Sequence, residues 1–178
     1  MLETIGLPII ALLPFIGAPI VAYLATYNRL AAAWGAGVIT VMAFSVLLLY
    51  IKLPFEGITT IQSWTWIESI GLQFAFRLDG LGLLFACLIL GIGLLVIIYA
   101  RYYISAKDCM GRFYSYLLLF MGSMLGIVLS ENIIQMVVFW ELTSLSSFLL
   151  ISYWQHKKEG REGAKMALTI TGAGGLAM

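Results

Sequence analysis

One carboxylate lies in the middle of a run that is otherwise uncharged. It is Glu141, in the stretch VVFWELTSLSSFLL at residues 137–150, and the uncharged sequence around it extends over residues 132–155. A charged side chain at the centre of a bilayer costs about 2.5–3.5 kcal/mol on the more lenient insertion scale. An acid at such a position therefore indicates an ion path, with Glu141 as the group that carries a proton or a cation.

Hydroxyl groups follow Glu141 closely, and Ser144 at i+3 lies on the same face of a helix. Such hydroxyls could hydrate the carboxylate or hold an ion, so Ser144 joins Glu141 as a candidate pathway residue. A second interpretation stays open: a protonated Glu141 could simply hold two helices together by a hydrogen bond.

Three more charged residues stand in or beside apolar runs. Asp79, in FRLDGLG, is predicted to be a helix N-cap whose carboxylate meets the positive end of the helix dipole. Glu131, in LSENIIQ, is predicted to be a second acid at a helix terminus. Lys165 lies at the start of a sixth apolar run, where snorkelling to the membrane interface is one interpretation and a place in the ion path is the other.

The composition excludes most soluble functions. The 178 residues are 62% hydrophobic and 11% charged with a mean hydropathy of +1.00, whereas about 25% of a soluble domain is charged. A net charge of +1 argues against a nucleic-acid partner. Cys87 and Cys109 have no CxxC spacing, and GxSxG, HExxH, P-loop and GxGxxG patterns are absent from the sequence. We therefore expect no metal, no cofactor and no soluble-type catalysis.

The hydropathy pattern predicts an all-α polytopic membrane protein. A spanning helix needs roughly 20 apolar residues. The predicted spans are residues 5–27, 30–51, 80–100, 113–130, 132–154 and 164–178. The sixth is too short to cross a bilayer and is still apolar at Met178, so we expect it to be incomplete and the sequence to be a piece of a longer chain.

The basic residues predict the orientation, because cytoplasmic loops are enriched in Lys and Arg. All but two of the 10 basic residues lie in the linkers after spans one, three and five or at the next helix start: Arg29, Arg101, Lys107, Arg112, Lys157, Lys158, Arg161 and Lys165. Lys52 and Arg77 lie on the other side. This distribution predicts an outside N-terminus and an external loop at residues 52–79.

The external loop is predicted to contain a short β-hairpin between helices two and three. In LQFAFRL, residues 72–78, Leu72, Phe74, Phe76 and Leu78 alternate with the other residues of the stretch. The preceding ITTIQSWTWI is rich in strand-forming residues, and ESIG between the two stretches could close the turn.

Four stretches resemble one known family: FRLDGLGLLFA (76–86), YARYYI (99–104), LLLFMGSMLGIVLSENIIQMVVFWELTSLSSFLLISYW (117–154) and GAKMALTITGAGGLAM (163–178). It is the family of large antiporter-like subunits that Mrp-type multisubunit cation/proton antiporters share with respiratory complex I. The likeness is good from about residue 72 onward and weak before it. Within the family the sequence looks like the N-terminal part of the A-type subunit of Mrp antiporters.

The resemblance implies roles for particular residues. The glutamate of the family's WEL motif, here Glu141, is the acid of the ion pathway and pairs with a lysine on a helix that lies beyond Met178. Lys165 is similar in place to a lysine common at the start of the sixth helix. Complex I counterparts often carry a charged pair near the positions of Gly172 and Gly175, so glycines there favour the Mrp branch.

The function expected from the resemblance is that of a secondary transporter subunit rather than an enzyme. It would exchange internal Na⁺, or K⁺ or Li⁺, for external H⁺ across a prokaryotic plasma membrane, together with other membrane subunits. The alternative is a proton-translocating subunit of complex I or of a membrane-bound hydrogenase. A structural membrane subunit with no ion path is the third possibility.

Overall fold

The computed structural model describes residues 2–67, 72–105, 108–154 and 158–176, and the chain is mostly helical over them. Seven helices and two strands follow in the order α1 (Leu2–Tyr27), α2 (Arg29–Leu49), α3 (Lys52–Phe55), β1 (Thr60–Ile67), β2 (Leu72–Leu78), α4 (Gly80–Tyr103), α5 (Met110–Leu129), α6 (Ile133–Ile151) and α7 (Lys158–Leu176). In this described part, α1, α2, α4, α5 and α6 are each long and apolar enough to cross a membrane. The chain is therefore a polytopic membrane protein.

The helix boundaries differ from the hydropathy estimates where charged residues adjoin an apolar run. The fourth spanning helix, α5, begins at Met110 rather than 113 and so includes Arg112. The last helix, α7, begins at Lys158 rather than 164. Hydropathy marks only the apolar part of a helix, whereas backbone hydrogen bonding continues through polar residues at its ends.

Polar side chains fix the starts of three membrane helices. Asn28 Oδ1 accepts a hydrogen bond from Leu30 N at 2.9 Å at the start of α2. Asn132 does the same for Ile134 N at 2.8 Å at the start of α6. Asp79 caps α4, which is the role that its sequence context predicts. Each cap satisfies a backbone N–H that the helix itself leaves without a partner.

Helix α5 lies at the centre of the bundle, in contact with α1, α2, α4 and α6. Two glycines of α5 explain why α1 and α6 approach it closely. A Cβ at Gly122 would come within 2.8 Å of Phe15 on α1, and a Cβ at Gly126 would overlap the ring of Phe139 on α6. Small residues at such contacts bring helix backbones together in lipid, where van der Waals packing is a principal driving force.

Strands β1 and β2 pair antiparallel, in a register that runs from Thr60 opposite Leu78 to Thr65 opposite Gln73. The ESIG segment that we expected to join them lies outside the described residues. The alternation predicted for β2 holds at most positions: Phe76 and Leu78 are buried, and Arg77 is exposed. Ala75 departs from it, since this residue is buried, and its N–H donates to the buried Gln135 of α6.

Buried amides attach the strand pair to the helix ends. Gln62 Oε1 accepts from Leu7 N at 2.9 Å, and Gln135 Oε1 accepts from Ala75 N at 2.8 Å. The pair therefore covers the end of the bundle at which α1 and α6 start, which we call the hairpin end. The opposite end, where Arg29, Arg101 and Arg112 lie, is called the basic end. A short helix that the sequence did not predict, α3, precedes the strands and is followed by Gly57 at φ 75°.

Candidate functional site

Glu141 lies near the middle of α6, and its side chain points toward α7. Its Oε1 atom is buried and has no hydrogen-bond partner within the described parts of the chain. Two glycines of α7 lie beside the carboxylate. A Cβ at Gly175 would overlap Oε1 and come within 3.1 Å of Trp140 Cδ1, and a Cβ at Gly172 would lie 3.9 Å from Oε2. The carboxylate therefore contacts a backbone surface that two glycines leave open.

The hydroxyl groups near Glu141 donate to their own helix. Thr143 Oγ1 donates to Trp140 O at 2.6 Å, and Ser146 Oγ donates to Leu142 O at 2.7 Å. The buried Ser144 donates to Trp140 O at 3.3 Å. A hydroxyl has only one proton to donate. These three groups therefore do not donate to the carboxylate in this arrangement, although their oxygens keep lone pairs that can accept.

The structure does not bring Lys165 to Glu141. Lys165 is an exposed residue of α7, and seven positions separate it from Gly172, or about 10 Å along the helix axis. Over the residues that the structure describes, neither side chain forms an ion pair.

A second charged group lies at the hairpin end. Arg77 lies 3.2 Å from Asp79 and 3.6 Å from Glu131, measured between nitrogen and carboxylate oxygen atoms. Asp79 Oδ1 also accepts from Gly82 N at 2.7 Å. All three side chains are about 35–46% exposed, and ion pairs this open contribute about 0–1 kcal/mol. Asp79 and Glu131 thus lie together at helix ends, and this cluster is separate from Glu141.

Sequence reasoning missed that Arg77 joins these two acids. The alternation in β2 placed Arg77 on the polar face of its strand and near Asp79. The approach of Glu131 depends on the turn between α5 and α6, where Glu131 N donates to Ala75 O at 3.1 Å. No local pattern in the sequence signals that contact.

The described ranges contain no group of three or more His, Cys, Asp or Glu residues that could hold a metal ion. Cys87 and Cys109 are free thiols, the first half-buried in α4 and the second exposed at the start of α5. The candidate site is therefore Glu141, the glycines of α7 beside it and the hydroxyl-bearing residues of α6.

Two family descriptions match the chain. The family described as NADH-Ubiquinone oxidoreductase (complex I), chain 5 N-terminus, matches residues 64–114. The family described as NADH:quinone oxidoreductase/Mrp antiporter, TM, matches residues 130–178, which include Glu141 and both glycines. The fold and these matches define an antiporter-like membrane protein.

Curated relatives narrow this class. A relative from Rhizobium meliloti, named as the A/B subunit of a probable K(+)/H(+) antiporter, is 48% identical over 97% of this chain and 17% of its own length. The A1 subunit of a Na(+)/H(+) antiporter from Staphylococcus epidermidis is 46% identical over 97% of this chain and 22% of its own length. The chain thus spans about a fifth of the length of these relatives.

Solved structures of membrane complexes also match the chain. A chain in the structure of the Mrp complex from Dietzia sp. DQ12-45-1b matches 99% of this chain over 18% of its own length, with a TM-score of 0.77 and 31% identity. A chain in an archaeal membrane-bound sulfane sulfur reductase has a TM-score of 0.79 at 23% identity and matches 97% of this chain over 26% of its own length, which shows the fold alone. The chain belongs to the family of antiporter-like membrane proteins shared by Mrp antiporters and NADH:quinone oxidoreductases.

Proposed function

We propose that this chain is the N-terminal part of a module in a multisubunit monovalent cation/proton antiporter, with Glu141 in the ion pathway. The observation that carries the proposal is the buried Oε1 atom of Glu141, which lies against Gly175 with no hydrogen-bond partner in the described structure. An acid at membrane depth needs a proton, a cation or a charged partner to offset its desolvation. A carboxylate that exchanges one of these partners for another can take part in ion transport. A carboxylate that only joins two helices has no need of such exchange.

The proposed transport step is a change in the charge state of Glu141. Its carboxylate would bind a proton arriving from one side and release it as the transported cation, or a charged partner on another helix, takes the proton's place. The oxygen of Ser144, one turn away, keeps lone pairs that can solvate the ion. Lys165, nearer the basic end, would be the next charged group along the path. Na⁺ and K⁺ are both candidates, since the relatives' names include each ion.

The second candidate function is a proton-pumping subunit of a redox-driven complex. It is supported by the family description of residues 64–114, which refers to complex I. The two glycines beside Glu141 favour the antiporter, because the resemblance implies a charged pair near these positions in complex I counterparts. A purely structural subunit is the third candidate, and the half-buried acid in the middle of α6, with its buried Oε1 atom, argues against it.

A cation-exchange assay tests the proposed function. The full-length protein is produced with its membrane partners in cells that lack their own antiporters, and everted vesicles are loaded with a pH-sensitive dye. We expect Na⁺, K⁺ or Li⁺ to dequench the dye in these vesicles but not in empty-vector vesicles. Proton movement that follows NADH or quinone addition and ignores every cation would instead establish the redox-driven pump.

The proposed orientation places the N-terminus and the hairpin end outside and the basic end in the cytoplasm. Ser63 on β1 is exposed at the first end, and the native Cys109 is exposed at the second. With Cys87 replaced by Ser, we expect Ser63→Cys to react with an impermeant thiol reagent added to whole cells. Cys109 should react only after the cells are made permeable. The opposite labelling order would overturn the orientation.

A further inference from the structure

An apolar groove runs between α2 and α4 on the outside of the bundle. Its volume is about 430 Å³, and its walls are almost entirely hydrocarbon. The residues that line it include Trp34, Gly37, Val38 and Met42 from α2, with Arg101 and Tyr102 from α4. From Trp34 to Met42 the α2 wall is roughly 12 Å long at the helical rise. An extended hydrocarbon chain fits such a groove.

One end of the groove carries charge. The Arg101 guanidinium lies over the Trp34 ring, 5.8 Å from the centroid, and 5.4 Å from the centroid of Tyr102. Within the described ranges, no carboxylate forms an ion pair with Arg101. Arginine stacked on exposed aromatic rings is typical of the membrane interface, where the rings and the cation meet the lipid headgroups.

A second, polar pocket adjoins the groove and shares Arg101 with it. It has a volume of about 310 Å³ and is lined by Asn28, Arg29, Leu30, Arg101, Ile104 and Met110. Arg29 is anchored there because its Nη2 atom donates to Ser105 O at 2.6 Å and to Ile104 O at 3.3 Å. Its buried Nε atom has no hydrogen-bond partner in the part of the chain that is described. Both arginines therefore line one small pocket, and within the described ranges Arg101 forms no ion pair with a carboxylate.

We propose that this groove and pocket together bind one anionic phospholipid. An acyl chain lies in the groove between α2 and α4, and the phosphate lies in the pocket between Arg29 and Arg101. Both arginines belong to the basic end, and anionic headgroups are attracted to basic clusters next to membrane helices. The site is distant from Glu141, and the proposal does not depend on the antiporter function.

The chemistry of the groove favours a lipid over a helix of a partner subunit. Helices that pack in a membrane usually meet through runs of small residues. Here the exposed positions are large, namely Trp34, Val38, Met42 and Tyr102, and the unpaired positive charge stands at one end. A partner helix would have to supply an acid at that point, whereas a phosphate at the interface is present in the bilayer already.

Two variants test the charge of the pocket and the space in the groove separately. Arg101→Gln removes the charge, and Gly37→Leu fills the groove, because a Cβ at Gly37 would meet no atom within 4 Å. Arg112→Gln is the matched control for charge, since Arg112 is exposed at the basic end but lines neither pocket. Gly91→Leu is the matched control for added volume, because Gly91 on α4 is equally open and lies outside the groove lining.

The experiment measures lipid binding to the full-length protein purified with its membrane partners, by native mass spectrometry. The probes are dioleoyl phosphatidylglycerol, dioleoyl phosphatidylcholine and glycerol phosphate. We expect phosphatidylglycerol to bind better than either of the others. We expect Arg101→Gln to weaken its binding about five-fold, which is the effect of about one headgroup charge contact. Gly37→Leu should also weaken its binding, because the added side chain takes the place of the acyl chain in the groove. Both controls should bind as the unmodified protein does.

Four results would overturn the proposal. Equal binding of phosphatidylcholine would remove the role of the arginines, and equal binding of glycerol phosphate would remove the role of the groove. Unchanged phosphatidylglycerol binding in both test variants would place the lipid elsewhere. Loss of a membrane partner from Gly37→Leu, with lipid binding intact, would likewise contradict the proposal by showing that a partner helix occupies the groove.

Discussion

Replacing Gly175 by valine is expected to lower cation/proton exchange by roughly ten-fold or more. A Cβ at this position would overlap Oε1 of Glu141 and crowd Trp140 Cδ1, so either the carboxylate or α7 must move. Insertion of side-chain volume into a packed contact costs about 1–3 kcal/mol. An energy of that size shifts a two-state arrangement by about five-fold to more than a hundred-fold, away from the geometry in which Glu141 meets the α7 backbone.

The adjacent glycine supplies the control for this prediction. A Cβ at Gly174 would meet no atom within 4 Å, so Gly174→Val makes the same chemical change on the same helix turn without touching Glu141. Exchange is measured in everted vesicles, with the amount of assembled protein checked in the same membranes. Equal loss in both variants would mean that valine harms α7 itself, and equal retention would mean that the contact with Glu141 is irrelevant to transport.

Much of the helical framework follows from the sequence, because bilayer thickness sets the length of a spanning helix. The runs of apolar residues around α1, α2, α4, α5 and α6 are long enough to be recognised without a structure. The helix cap at Asp79 is equally local, since an acid directly before a glycine-containing apolar run is typical of an N-terminus. Glu141 is conspicuous for the same reason: a single charge in a long uncharged run has few ordinary explanations.

The surroundings of Glu141 could not be predicted from the sequence. That its carboxylate meets Gly172 and Gly175 depends on how α7 packs against α6, and the glycines alone indicate only that some close approach is possible. The sequence alone does not reveal that the Ser144 hydroxyl donates to Trp140 O, since backbone carbonyls one turn away compete for its proton. The contact of Arg77 with Glu131 is likewise a product of tertiary packing.

The largest effect is expected from Glu141→Gln. Glutamine keeps the size of the side chain and its ability to hydrogen-bond, but it cannot bind and release a proton. If the residue only joined α6 to α7 by a hydrogen bond, glutamine would serve nearly as well. Because Oε1 lacks a partner in the described structure, we expect the helix contact to survive and the exchange activity to fall to the level of empty vesicles.

Glu141→Asp refines this prediction. Aspartate keeps the titratable group but shortens the side chain by one methylene, which withdraws the carboxylate from the backbone of Gly175. Partial exchange is expected, between the activities of the unmodified protein and of Glu141→Gln. An aspartate variant as inactive as the glutamine variant would indicate that the position of the carboxylate matters as much as its proton.

The most direct test is the Na⁺-, K⁺- or Li⁺-induced dequenching of a pH-sensitive dye by Glu141→Gln in everted vesicles that contain the full-length protein and its membrane partners. Assembly is verified in the same vesicles by quantifying the protein and its partners against the unmodified complex. We expect full assembly with no cation-induced dequenching. Dequenching at the unmodified rate by the assembled glutamine variant would contradict the claim that Glu141 carries the ion.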